Sequence, residues 1–160
     1  MLSTLLRASK KAITPALALA GAMLLSPISV QADELLRAEN LQKLATEHPN
    51  EVIVLMVSAD GCSFCITVKN DFLGPLQKSD GAPPIRILDL SSNKPVIDFN
   101  GESRSSTEVA NALKGKFTPT ILFVDGKGNH LSKKIVGVNT PEFYGYYIDE
   151  AIKESRQALN

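Results

Sequence analysis

Ser58-Ala59-Asp60-Gly61-Cys62-Ser63-Phe64-Cys65 holds both cysteines of the 160-residue chain. The run before it, Val52-Ile53-Val54-Leu55-Met56-Val57, is apolar and rich in β-branched residues, and its length suits a buried strand. After it, Cys65, Ile66, Val68 and Phe72 can form an apolar helical stripe. The motif therefore marks a turn from strand to helix. Backbone N–H groups at a helix start lack partners and carry partial positive charge, so a thiolate at Cys62 is stabilised there. Cys65 falls one helical turn on, within reach of Cys62. One sulfur can attack a foreign disulfide and the other can resolve the mixed disulfide, with no third group required. Two other uses of the pair compete. A structural bridge over so short a loop removes little entropy from the unfolded chain. Half of a zinc site needs further ligands, and His48 and His130 lack paired zinc-finger spacing, with no second Cys-x-x-Cys present.

The length suits one domain and the composition an ordinary globular core. With 17 basic and 17 acidic residues, the chain has no basic excess to suggest nucleic acid. Residues 1–32 read as a cleaved secretory signal peptide, leaving a domain over 33–160. Arg7, Lys10 and Lys11 precede an apolar Ala12–Leu25, and Val30-Gln31-Ala32 offers small residues for cleavage after Ala32. As an uncleaved anchor the stretch is too short, and Pro15, Ser26 and Pro27 interrupt it, so the mature protein is not expected in the membrane. The expected location is the periplasm or cell exterior, where disulfide chemistry is possible. The mature part has a net charge of −3.

Leu35, Leu36, Leu41 and Leu44 suggest an amphipathic helix with acids in its first turn, ended by Pro49-Asn50. Strand 51–58 and the cysteine helix follow, with a kink or stop expected at Gly74-Pro75. Residues 79–84 read as a loop and 85–90 as a strand, while 91–105 reads as irregular with a turn at Asn100-Gly101. A short helix over 106–114 has Ser105 or Ser106 as cap and Gly115 as stop. Residues 120–124 and 131–138 make a hairpin about the 125–129 turn, with His130 beside it and exposed. A last helix runs from Pro141, capped by Thr140, to about residue 157. This order predicts an α/β sandwich with a mixed central sheet flanked by helices.

That order, with Cys-x-x-Cys after the first core strand and Phe117-Thr118-Pro119-Thr120 before the hairpin, resembles the thioredoxin superfamily over roughly residues 33–158. Within it, Gly61-Cys62-Ser63-Phe64-Cys65, the Phe-Thr-Pro-Thr run and the segment Glu142-Phe143-Tyr144-Gly145-Tyr146-Tyr147 are similar to periplasmic thioredoxin-like proteins of the SoxW/SoxS kind. The resemblance implies a thioredoxin-like fold, with Cys62 as exposed nucleophile and Cys65 as buried resolving thiol. It implies a cis bond before Pro119, against the cysteine pair, and backbone hydrogen bonds from Thr118 to a substrate strand. Gly61, Ser63 and Phe64 would complete the substrate-binding rim. Three departures stand out. Gly61 replaces the usual Trp, Met56 replaces a buried acid that relays protons to the resolving thiol, and Ser63-Phe64 replaces Gly-Pro between the cysteines.

The expected function is that of an exported thiol–disulfide oxidoreductase acting on disulfide-bearing proteins, with no cofactor or metal needed. The residues between the cysteines leave the direction of electron flow open; the resemblance implies a reductant, recharged by a membrane electron donor of the DsbD or CcdA type. The alternative is a copper or zinc carrier of the same fold, since two thiols suit Cu(I). A third reading takes Phe143, Tyr144, Tyr146 and Tyr147 as core packing, with any exposed subset as a docking patch.

Overall fold

The apolar run before the cysteines forms β1 (Ile53–Ser58), and every one of its residues is buried. Burial on both faces explains why the run is continuous rather than alternating. The computed structural model describes residues 34–160, and the signal peptide expected over 1–32 lies outside them. β2 (Ile85–Asp89) pairs parallel with β1, placing Ser58 opposite Asp89. On the other side β5 (Thr120–Val124) pairs antiparallel with β1, with Val57 opposite Thr120. The short β6 (Ile135–Val136) pairs antiparallel with β5 and closes the order β2-β1-β5-β6. The sheet is thus mixed, as its sequence predicts.

Strand alternation splits the core into two layers. Val54, Met56, Ile121 and Phe123 face one way, into a cluster with Cys65, Val68, Leu73, Tyr144 and Ile148. Ile53, Leu55, Val57, Leu122 and Val124 face the other, against Leu41, Leu44, Val109 and Ala110. The first layer is covered by the cysteine helix and by α5 (Tyr144–Leu159), the second by α1 (Leu41–Glu47) and α4 (Ser106–Ala112).

The first helix begins later than the leucine pattern predicts. Asn40 caps α1 by accepting from the Lys43 N–H at 2.7 Å, whereas Leu35–Glu39 runs alongside β2. Ala38 N–H donates to Ile87 O at 2.8 Å, and Ile87 N–H donates to Leu36 O at 2.9 Å. Leu35 and Ala38 are buried from this extended stretch, so a run of leucines was filling a strand edge. Glu34 consequently meets no helix dipole.

Gly74-Pro75 does not stop the second helix. α2 (Ser63–Thr67) passes into a π segment (Val68–Leu73) and then α3 (Gly74–Gln77). Gly74 N–H reaches back to Lys69 O, and a Cβ at Gly74 would lie 2.9 Å from that same oxygen. The wide π turn makes room for the proline ring, and the missing side chain lets the backbone close it.

The 91–105 region is also ordered. β3 (Pro95–Ile97) and β4 (Ser103–Ser105) form a small antiparallel hairpin. Its centre is Asp98, 5% exposed, whose Oδ1 accepts from Asn100 N–H at 2.8 Å and Glu102 N–H at 3.0 Å. Oδ2 lies 3.4 Å from Arg104 Nη1. Burial by itself raises this carboxyl, but the two N–H donors and the guanidinium outweigh it and hold it below the ordinary carboxylate range. The cap of α4 is Ser105, whose Oγ accepts from Glu108 N–H while Glu108 Oε2 accepts from Ser105 N–H. The buried Ser106 is not the cap.

Helix α4 ends at Ala112, two residues short of the expected 114. Lys114 takes the left-handed position, φ 57°, and Gly115 N–H donates to Ala110 O at 2.7 Å. Glycine is needed at 115 for a different reason: a Cβ there would lie 2.8 Å from Val57 Cγ2 and 3.2 Å from Leu122 Cδ1. Both neighbours are fully buried. Gly115→Ala is therefore expected to cost about 1–3 kcal/mol by overpacking, read as a lower midpoint in urea at unchanged m.

The return strand is reduced to β6 and, at its start, an isolated bridge of His130 with Val124, where Leu131 N–H donates to Phe123 O at 2.9 Å. A 3₁₀ turn (Pro141–Phe143) with Thr140 at its start precedes α5, and Thr140 makes no side-chain cap bond. α5 therefore begins at Tyr144 rather than at Pro141.

Candidate redox site

At the end of β1 the chain must reverse into a helix on one face of the sheet. Gly61 makes this turn at φ +71°, a conformation that favours glycine, and a Cβ there would meet nothing within 4 Å. The missing Trp is thus explained by the backbone, not by crowding. Asp60 N–H donates to Ser91 Oγ at 2.8 Å, and Leu90 N–H donates to Ser58 O at 2.8 Å. Asp89, next to them, is paired with Arg37 at 2.6 Å. Ser91 and Asp89 therefore brace the turn from the β2 side. Sequence reasoning missed both, since only the parallel register brings them to the motif.

Cys62 is the N-cap of α2, and Cys65 lies one turn further on. The two are bridged, with Cα atoms 5.2 Å apart. Cys65 N–H donates to Cys62 Sγ at 3.2 Å and to Cys62 O at 3.0 Å. Ile66 N–H donates to the same carbonyl at 3.3 Å. Burial separates the sulfurs: Cys65 is fully buried and Cys62 only partly. Ser63 is exposed, and Phe64 is 56% exposed and points away from the core.

The Thr118–Pro119 peptide is cis. Val57 pairs with Thr120, so one further step of the antiparallel register sets Pro119 beside Ser58, at the sheet end from which the cysteines project. Pro119 is buried, Thr118 is half-buried, and Phe117 just before them is exposed. Thr120 Oγ1 donates to Phe117 O at 2.7 Å, and Gly137 N–H donates to Pro119 O at 2.8 Å, pinning this loop to β6. Gly61, Cys62, Ser63, Phe64, Cys65, Thr118 and Pro119 are thus gathered at one end of the sheet.

Met56 is buried in the same cluster as Cys65, and its sheet neighbours Ile87 and Ile121 are apolar as well. The layer under the inner sulfur therefore has no acid from these strands. Of the four aromatics near the start of α5, only Tyr144 packs inside. Its ring lies 4.9 Å from that of Phe72, and burial pushes its phenol up to about 12. Its hydroxyl has no hydrogen-bond partner among the described residues. Phe143, Tyr146 and Tyr147 are exposed, so core packing accounts for one of the four. His130 is exposed, yet its Nε2 lies 3.0 Å from Leu113 O. Among the described residues no three His, Cys, Asp or Glu side chains come together as a metal cluster. No described helix is long and apolar enough to cross a membrane. A concavity of about 420 Å³ lies between the 79–83 loop and the last turns of α5, at the opposite end of the sheet from the cysteines. The site itself is an open rim, a shape that suits a protein surface.

A sulfur pair that bridges one helical turn, with one member buried and the other reachable, is the working part of a thiol–disulfide oxidoreductase, and this is the class that fold and site define. The chain belongs to the thioredoxin-like domain family, whose model matches residues 38–152. Among solved structures it is similar to Fasciola hepatica thioredoxin, with 18% identity, 76% of this chain and 99% of that one covered, and a TM-score of 0.53. It is similar also to the DsbH oxidoreductase, with 18% identity, 84% and 95% covered, and a TM-score of 0.52. The periplasmic thioredoxin SoxS from Paracoccus pantotrophus aligns at 18% identity over 66% and 99%, with a TM-score of 0.45. At such identities the likeness speaks to the fold. Among curated proteins none matches the chain.

Proposed function

We propose that the chain is an exported reductant of protein disulfides, with Cys62 as nucleophile and Cys65 as resolving thiol. The single observation that carries the roles is the unequal burial of two bridged sulfurs. In the reduced protein the Cys62 thiolate attacks one sulfur of a client disulfide. A mixed disulfide forms, and the other client sulfur leaves as a thiolate and takes up a proton. Cys65, deprotonated, then attacks Cys62 Sγ and displaces the second client thiolate. The client gains two electrons and two protons, and the protein is left as the bridged form. Phe64, Ser63 and Gly61 form the rim on the helix side, and Thr118 and Pro119 form it on the sheet side.

The reducing direction is supported by what would hold a Cys62 thiolate, namely the start of α2 without a cation. In the bridged form Cys62 Sγ accepts one backbone N–H, from Cys65, and no cationic side chain among the described residues hydrogen-bonds to it. A strong oxidant owes its potential to a well-stabilised reduced form. A helix start without a cationic partner stabilises the thiolate less than the two together would, which supports the dithiol as a donor. Recharging needs an external dithiol of low potential, and a membrane thiol carrier of the DsbD or CcdA type, supplying two electrons and two protons, fits that chemistry. The leader-like pattern of residues 1–32 supports work outside the cytoplasm, in the periplasm.

Cys65→Ser tests the division of roles. The variant is expected to stop after the first attack and to hold client proteins in a mixed disulfide through Cys62, visible as DTT-sensitive bands on non-reducing gels. Equal trapping by Cys62→Ser would reverse the assignment.

A further inference from the structure

Charge is unevenly spread along this chain. Between Leu113 and Thr140 there are five lysines, at 114, 116, 127, 133 and 134, against one acid, Asp125. The same chain has a net charge of −3 over 33–160. The fold draws part of this excess to the sheet side of the redox site. Lys134 precedes β6, and its Nζ donates to Lys114 O, tying the sheet edge to the end of α4. Lys114 and Lys116 lead directly into Phe117-Thr118-Pro119, and all three lysines are exposed. Val136 is paired with Thr120, one residue past Pro119, and Lys134 stands two residues before it in the chain, both exposed. Phe117 is 69% exposed and Val136 37%. Exposed Phe117 and Val136 thus flank Pro119 through chain and register, with Lys114, Lys116 and Lys134 beside them along the chain. The acids near the motif, Asp60 and Asp89, lie on the other side, toward β2.

We propose that this face, built of Lys114, Lys116, Phe117, Lys134 and Val136, docks an acidic segment of the client protein next to the disulfide being reduced. The inference rests on the reading of Cys62 and Cys65 as a reductant and names the kind of client that reading leaves open. Phe117 and Val136 cover an apolar side chain of the client, and the lysines meet its carboxylates. An apolar centre with a charged rim is the usual anatomy of a transient interface. Exposed charge pairs add chiefly to association rate and to choice of partner, so the preference shows in rate and fades with salt.

The test uses three peptides with one intramolecular disulfide each and identical cores, flanked by Asp/Glu, by Ser/Asn or by Lys. Initial rates of their reduction by the dithiol form of the protein are compared at about 0.01 M and about 1 M ionic strength. The acidic peptide is expected to react about tenfold faster than the neutral one at low salt, with the gap closing at high salt. Lys116→Gln with Lys134→Gln should shrink that ratio toward one, and Lys116→Gln alone should shrink it part of the way. Equal rates for acidic and neutral peptides, or a preference for the Lys-flanked one, would overturn the docking surface while leaving the redox reading intact. No reduction of any peptide would overturn the redox reading, and the docking surface with it.

Discussion

Cys62→Ser is expected to lower disulfide reduction at least about a thousandfold, to the uncatalysed background. The hydroxyl that remains ionises far above neutral pH and cannot displace a thiolate from a disulfide. The bridge it removes closes so short a loop that the unfolded chain gains little freedom. The variant should therefore melt close to the wild type while its turnover of insulin disulfides disappears. Full activity in Cys62→Ser would remove the chemistry from this cysteine. A large drop in melting temperature would instead mark the bridge as a structural one.

The second large effect is on stability and lies away from the cysteines. Asp98→Ala leaves two N–H groups and the half-buried Arg104 guanidinium without the buried acceptor they share. Such a loss is worth about 1–3 kcal/mol, read as a fall in the urea midpoint. The pH dependence has a definite sign. The folded carboxyl is held below its ordinary range, so the unfolded state binds its proton more readily. The contribution is therefore complete above the unfolded value, about pH 3.9, and is lost as pH falls through the folded one. Asp98→Asn should lose stability at neutral pH and show a flatter acid limb than the wild type. Parallel acid limbs for the two proteins would contradict this account of Asp98.

The architecture was legible where one physical signal dominated. The apolar run 52–57 read as a buried strand, and the motif after it as the turn from strand into helix, and both are so in the structure. Reading failed where two signals competed. Leu35, Leu36 and Leu41 fit a helical stripe, yet hydrogen bonds to β2 hold Leu35–Glu39 extended. The polar 91–105 region gave no apolar alternation because its hairpin is organised around a carboxylate rather than an apolar face. Gly115 was read for its backbone freedom, whereas Val57 and Leu122 demand its small size. At the site, the cysteine pair could be found from its spacing, and Pro119 from the resemblance. Ser91, Asp89 and the lysine cluster could not, because their places depend on which strands lie side by side.

The claim on which the rest depends is that Cys62 and Cys65 exchange between bridge and dithiol at a potential low enough to reduce other proteins. Equilibration of the purified protein with glutathione buffers, with the bridged fraction read by thiol labelling, measures it directly. The account predicts a standard potential near that of thioredoxin, about −270 mV. A value near about −120 mV, that of a strong oxidant, would contradict it, as would a bridge that fails to respond to glutathione at all.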